Sequence, residues 1–377
     1  MKSQGEPQGK RLLEISIKGF KSIRNLERLS LNPGINVLIG ANGAGKSNFI
    51  SFFTLLEHMA KGRMRFFSRR NGGADSLMFG GDVASTIEGD LHFEKNNGYR
   101  FALGAAYDGH LIVSTEETSV GGKTRLWSDN NMEPCLATWT DVNKNRGRWH
   151  IKRAVASWQV YHFSYTDPDA PLRRAASVLD YDSGDRLHPR GRNLSAFLWG
   201  LQQNHADIYM KITRHMRQVM PVFSEFDLQQ VKDDNNPGHS VVWLCWKQKN
   251  SDYRFKPWQM SDGALRFLAL ATVLLQPNPP ATIIIDEPEL GLHPQALNVF
   301  AGLMHGAAEA GRQIIITTQN HRLLDSMDPE NIVTVNQRKG ESFFERLNTE
   351  QLRHWLEEYT LGELAAQNII EAGVNYV

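Results

Sequence analysis

Cysteine is nearly missing from this chain. Cys135 and Cys245 are the two in 377 residues, and neither has a neighbour at ligand spacing. A disulfide scaffold and a thiolate metal centre are thereby excluded, and a reducing compartment suits the composition. Charge of either sign is not in excess either: 42 Lys and Arg against 41 Asp and Glu leave a net charge of +1. No global pull toward nucleic acid or anionic membranes follows, so any basic surface must be local. No apolar run approaches the length of a membrane span, and no membrane partner is expected. Residues 1–10 are polar without an apolar centre, which reads as a disordered lead-in and not as a signal peptide. A cytoplasmic location is the resulting expectation. There are no internal repeats, no heptads long enough for coiled-coil arms, and no recognisable nuclease acid cluster. What remains, with 41% hydrophobic and 22% charged residues, is an ordinary globular chain long enough for two domains or one large domain with an insertion.

Against these absences stands one complete pattern. Gly40-Ala41-Asn42-Gly43-Ala44-Gly45-Lys46-Ser47 is G-x-x-x-x-G-K-[ST]. The apolar, β-branched run Ile35–Ile39 precedes it, and Phe49, Phe52, Phe53 and Leu56 follow at helical spacing. Strand, glycine loop and helix give the pattern its mechanism. Backbone N–H groups converge on an anion, and the helix start adds its positive end. The loop from Gly40 to Asn48 is the expected triphosphate cradle, with Lys46 reaching the β- and γ-phosphates and Ser47 ligating Mg²⁺.

A second constellation is Ile283-Ile284-Ile285-Asp286-Glu287-Pro288. A buried strand that ends in two adjacent carboxylates needs something cationic to meet them. Asp286 is expected to hold Mg²⁺ and Glu287 to orient and deprotonate the attacking water. The histidines, His293 included, show no ligand spacing, so no metal beyond Mg²⁺ is expected. A third is Ser261-Asp262-Gly263 at the start of a helix that runs to Leu275. Taken alone it is an ordinary N-cap; lying upstream of Asp286, it makes a second anion site from the Ser261 hydroxyl, the Gly263 N–H and the helix dipole.

Elsewhere, Leu12–Ile17 alternates as a half-buried strand, and three strand-like runs from Ile87 to Ser114 are separated by Asn96-Asn97-Gly98 and Asp108-Gly109, hairpin signals. Trp158–Tyr165 and Val241–Trp246 read as strands, and 167–192 as a long loop. Leu194 to Leu201 and Ile208 to Met216 have helical periodicity. A strand at Ile314–Ile316 and a helix from Pro294 complete a strongly α/β C-terminal region. Lys61, Arg63, Arg65, Arg69 and Arg70 form a basic run interleaved with Phe66 and Phe67, and Arg146, Arg148, Lys152 and Arg153 cluster around Trp149. Such runs suit phosphate backbone, with Arg63, Arg65, Arg69 and Arg70 as candidate nucleic-acid contacts; a solvated face or an intersubunit contact fits them as well.

These motifs together resemble the ATP-binding-cassette heads of the SMC/RecF type, within the RecF-like group of bacterial AAA-family ATPases. The resemblance covers residues 12 to about 109 and 258 to about 360. Gly40–Ser47 matches the Walker A motif, Ser261-Asp262-Gly263 the signature, Ile283–Glu287 the Walker B, and Leu290-Gly291-Leu292-His293-Pro294 the D-loop. Phe20-Lys21-Ser22-Ile23 is similar to the family's opening strand and turn, where Lys21 by analogy touches phosphate or ribose, or is idle. Gln319, in Thr317-Thr318-Gln319-Asn320, stands where the switch histidine belongs, and Asp262 stands where transporter cassettes have glycine. A glutamine donates a hydrogen bond but never becomes cationic, which implies slow turnover.

The resemblance implies a P-loop α/β fold of ABC-head type: an ATPase core from 11–64 and 258–360, an antiparallel β lobe with a helical insertion over 65–257, and a tail over 361–377. It further implies ATP and Mg²⁺ as ligands, a catalytic set of Glu287, Lys46 and Gln319, and a head-to-head homodimer or higher homo-oligomer in which Ser261 of one chain meets the nucleotide on Lys46 of the other. The expected function is an ATPase that couples nucleotide state to dimerisation in antiphage defence or DNA repair, with a separately encoded effector and DNA as candidate partners. The alternatives are an ATP-gated sensor or clamp with little turnover, and the ATPase subunit of a transporter.

Overall fold

The computed structural model describes residues 11–128, 131–139, 146–182, 186–233, 236, 238–367, 369–370 and 374–375. The lead-in expected over 1–10 lies outside them. The described residues fall into two compact units, one from those within 11–160, 280–286 and 311–375, the other from those within 161–279 and 287–310. The expected lobe of 65–257 is thus shared between them: its residues to Val160 belong with the phosphate loop, and the rest with the helix that follows Ser261.

The strands of the phosphate-loop unit are β1 (Leu12–Phe20), β2 (Ile23–Ser30), β3 (Ile35–Ile39), β4 (Ile87–Phe93), β5 (Asn97–Ala105), β6 (Leu111–Val120), β7 (Lys123–Ser128), β8 (Val160–Tyr161, where the chain leaves the unit), β14 (Thr282–Asp286), β15 (Gln313–Thr318), β16 (Ile332–Arg338), β17 (Glu341–Arg346) and β18 (Val374–Asn375). Its helices are α1 (Lys46–Ala60), α2 (Met64–Arg70), α3 (Arg146–Ser157), α9 (His321–Leu324), α10 (Thr349–Leu352) and α11 (Leu361–Ala366), the last opening the expected tail.

Two sheets result. One is antiparallel, in the order β2-β1-β4-β5-β6-β7. The three runs read between Ile87 and Ser114 are β4, β5 and the first part of β6; the structure adds β7 and joins them to β1. The other sheet runs β17-β16-β3-β15-β14-β8, with β18 beside β16. Its centre is parallel: β14 pairs with β15, β15 with β3 and β3 with β16. Every residue of β3 and β15 is buried, as strands covered on both faces require.

Helix α1 joins the apolar core. Phe52 meets Phe20 of β1 at 5.3 Å between ring centres and Phe101 of β5 at 6.0 Å, and Phe53 meets Trp158 at 5.1 Å. All five rings are fully buried. Each such burial stabilises the fold by about 1.5–3 kcal/mol, which anchors the helix that carries the loop. Gln313 adds a polar staple: its buried amide donates to Leu12 O and Asn32 O, and its carbonyl accepts from Leu12 N and Thr282 Oγ1.

The second unit contains α4 (Leu179–Asp182), α5 (Leu194–Asn204), α6 (Ala206–Val219), α7 (Asp262–Leu275) and α8 (Pro294–Glu309), with α7 packed against α6 and α8. Two small sheets complete it: β10 (Phe223–Asp227) with β13 (Cys245–Gln248), and β9 (Ala176–Ser177), β11 (Gln230–Lys232) and β12 (Ser240–Val242) in the order β11-β12-β9.

Two expected strands come out differently. Val241–Trp246 is split between β12 and β13, because Cys245 N turns back to Trp243 O at 2.9 Å and each half pairs in its own sheet. Trp158–Tyr165 shrinks to the two residues of β8. Past Tyr161, the carbonyls of Phe163, Ser164 and Thr166 accept from arginine side chains and are withdrawn from any ladder. The expected loop over 167–192 carries β9 and α4, and 183–185 lie outside the described residues. No helix of the described residues is long and apolar enough to cross a membrane.

Candidate nucleotide site

The phosphate loop leaves β3 at the C-terminal edge of the parallel strands. Ile39 is in register with Thr318 of β15, and Thr317 with Asp286 of β14, so three strand ends meet there. Open α/β sheets bind ligands at such an edge. Gly45 precedes α1 with φ +113°, and a Cβ on it would lie 2.0 Å from Ser342 Oγ. Only glycine fits. Helix α1 has no side-chain cap and no acid in its first turn, so its dipole and leading N–H groups are not matched by a built-in anion.

Lys46 is buried, and its ammonium donates to Gly40 O at 2.6 Å and Ala41 O at 3.0 Å. Ser47, Asn42 and Gly43 are exposed, whereas Ala44 is buried. Asn48 turns its amide to Ser22 Oγ at 2.6 Å, and Ser22 bonds Ser342 Oγ at 2.7 Å. The turn at Phe20–Ile23 is therefore built onto the start of α1. Lys21 donates to Ser51 Oγ at 2.8 Å, and burial pulls its ammonium below the ordinary lysine value.

At the end of β14, Asp286 Oδ1 accepts from Thr317 Oγ1 at 2.5 Å. Glu287 follows with φ +48°, a left-handed conformation rare for glutamate. Such strained backbone gathers at functional sites. Gln319 donates its amide to Asn42 Oδ1 at 2.6 Å. The structure thus brings the Gly40–Ser47 loop, Asp286 and Gln319 to one sheet edge. Among the described residues no cluster of three or more His, Cys, Asp or Glu is set to hold a metal. Mg²⁺ does not require such a cluster: it takes one or two protein oxygens and completes its shell from phosphate and water. Ser47 and Asp286 carry oxygen donors of the kind that would hold it, and the glycine cradle with Lys46 suits a triphosphate.

In the other unit, Ser261 caps α7: its Oγ accepts from Ala264 N at 3.3 Å. Ser261 and Asp262 are exposed. A Cβ on Gly263 would lie 2.6 Å from Gly291 O, so glycine lets the chain at Gly291 pass close to the helix start. Asp262 pairs with Arg173 at 2.6 Å. Arg266 donates to Phe163 O, Ser164 O, Thr166 Oγ1 and Leu290 O. Sequence reasoning missed both arginines. No local signal marks Arg173, which lies 89 positions before its partner.

The basic runs divide. Arg63, Arg65, Phe66, Arg69 and Arg70 are exposed around α2, whose Met64, Phe67 and Ser68 are buried. Arg65 is paired with Asp108 at 2.6 Å. Of the second cluster, Lys152 is committed to Ala137 O and Trp139 O, while the Arg148 guanidinium lies over the Trp127 ring at 3.8 Å.

Comparison with known proteins adds three findings. The chain matches, over residues 35–325, the sequence family described as "AAA domain, putative AbiEii toxin, Type IV TA system". Among curated proteins nothing matches. Among solved structures it is similar to an SMC head bound to the C-winged helix domain of ScpA, with TM-score 0.53 and 16% identity, covering 90% of this chain and 99% of that one. It is also similar to an SMC head domain with an extended coiled coil bound to the C-terminal domain of ScpA, from Pyrococcus furiosus, with TM-score 0.50 and 16% identity, covering 92% and 98%. At such identity the likeness shows the fold. The family match spans the phosphate loop, the Ser261 turn, Asp286, Glu287 and Gln319, and the chain belongs to this AAA-domain family, with the fold of an SMC head.

Proposed function

We propose that this chain binds ATP with Mg²⁺ on the Gly40–Asn48 loop and hydrolyses it between two copies of itself, so that nucleotide state sets head-to-head dimerisation. The observation that carries the reading is the meeting of the phosphate loop, Asp286 and Gln319 at one strand edge. Loop N–H groups hold the phosphates, and Lys46 exchanges Gly40 O and Ala41 O for β- and γ-phosphate oxygens. Ser47 and Asp286 would hold Mg²⁺, which would supply charge neutralisation to the phosphates. Glu287 takes a proton from water as the water oxygen bonds the γ-phosphorus and the bond to the bridging oxygen breaks, giving ADP and phosphate. Gln319 donates to the γ-phosphate. Ser261 and the Gly263 N–H of the second copy close over the same nucleotide.

The reading extends to partners. A separately encoded effector suits a sequence with no recognisable nuclease acid cluster, and the similar SMC heads were solved with a partner domain. DNA is a candidate ligand for Arg63, Arg65, Arg69 and Arg70, in antiphage defence or repair. One observation favours a second reading, a sensor or clamp with little turnover: Gln319 stands where a cationic side chain would aid the departing charge. Single-turnover ATP hydrolysis, measured with sedimentation in ATP, tests both. Hydrolysis abolished by Glu287→Gln together with ATP-dependent dimers supports the enzyme; dimers without hydrolysis support the sensor; the absence of both hydrolysis and ATP-dependent dimers overturns the proposal.

A further inference from the structure

The exposed Ser261 sits between two points gripped by one guanidinium. Arg173 is 95% buried on its side chain, and its fork spends donors on both flanks of the serine. Nη1 reaches Met260 O at 3.0 Å and Pro257 O at 2.5 Å; Nη2 reaches Asp262 Oδ1 at 2.6 Å; Nε reaches Thr166 O at 2.7 Å. Thr166 is shared, because its hydroxyl accepts from Arg266, a residue of α7 itself. The planar fork fixes direction as well as distance, which the point charge of lysine cannot do. The residue before Ser261 and the residue after it are thereby held to a single buried group, and the cap orientation of Ser261 is set.

We infer that Arg173 is the positioning residue of the Ser261–Gly263 turn, and that aspartate replaces glycine at position 262 to receive it. The inference rests on the proposed reading of that turn as the part that closes on a second copy's nucleotide. Arg173 touches no nucleotide; it acts through Met260, Asp262 and the cap they frame.

The test uses the full chain carrying Glu287→Gln as parent, with ATP and Mg²⁺, and reads the dimer dissociation constant by sedimentation. Monomer affinity is read with a fluorescent ATP analogue, and melting temperature is read alongside. Arg173→Lys and Asp262→Ala are expected to weaken the dimer by about tenfold or more while monomer affinity stays within about twofold. Asp262→Asn, which keeps Oδ1 as an acceptor, stays within about threefold of the parent. A merely structural role would lower melting temperature and monomer affinity as much as dimerisation, and that result overturns the inference. So do parent-like dimers in Arg173→Lys and Asp262→Ala when Ser261→Arg is blocked. Dimers that persist in Ser261→Arg instead overturn the reading of the turn beneath it. Should Arg173→Lys fail to fold, Asp262→Ala decides, since that carboxylate is 59% exposed.

Discussion

Gln319 donates its side-chain amide to Oδ1 of Asn42 at 2.6 Å, joining the loop after β15 to the middle of the phosphate loop across 277 positions of sequence. The bond aims the amide at the loop that is proposed to hold the γ-phosphate. One donor directed at developing charge contributes about 10²-fold or more to rate. Gln319→Ala is therefore expected to slow phosphate release by about that factor in single-turnover assays while ATP affinity changes little. Unchanged single-turnover rates would remove Gln319 from the catalytic set.

Glu287→Gln keeps the shape of the side chain and removes the base. ATP binding should persist, and hydrolysis should fall by about 10²–10⁴-fold. Titration with labelled ATP and γ-phosphate release separate the two effects, and normal turnover would reassign the base.

Gly45→Ala meets two obstacles that have separate remedies. Its φ of +113° is unfavourable for any side chain, and Ser342 Oγ would stand 2.0 Å from the new methyl group. A cost of about 1–3 kcal/mol is expected from the backbone alone, with loss of ATP binding. Adding Ser342→Gly should recover part of the stability and little of the binding. Full recovery of ATP affinity in the double variant would show that the loop tolerates a side chain.

How much of this was legible in the sequence depends on how local each cause is. The Ile35–Ile39 strand, the glycine loop and α1 follow from neighbouring residues, and they appear within a residue or two of where the pattern puts them. The fate of Trp158–Tyr165 depends on Arg266, which takes the carbonyls of Phe163 and Ser164 that a strand would need and comes from beyond the segment. The Arg173–Asp262 and Gln319–Asn42 links span 89 and 277 positions, and no periodicity carries such information. The departure at Asp262 was visible in the sequence, but its partner was not.

Glu116 offers a test by pH. It is fully buried and accepts from Tyr99 OH, Cys135 N and Leu136 N. Burial pushes its carboxyl above the ordinary value of 4.5 despite these donors. The folded state holds the proton more tightly than the unfolded chain, so this contribution to stability is complete below the ordinary value and fades as pH rises through the raised one. Glu116→Gln has no such proton. Urea unfolding at stepped pH should show the stability difference moving toward the variant as pH rises above 4.5. A flat difference would mean that the three donors cancel burial, and one of opposite slope that they outweigh it; either would overturn the expectation.

The basic face of α2 is testable by salt. Arg69 and Arg70 are exposed at the end of α2, while Arg65 is engaged with Asp108. If α2 lies on a phosphate backbone, Arg69→Glu with Arg70→Glu should remove about two released counterions and flatten the slope of log affinity against log salt by about 2. Arg65→Glu should do less, because its guanidinium already has a carboxylate partner. None of the three side chains is buried, so surface substitution should leave stability within about 0.5 kcal/mol. DNA-binding titrations over a salt series give the slopes. An unaltered slope in the double variant clears α2 of the role and leaves its arginines as a solvated or intersubunit surface.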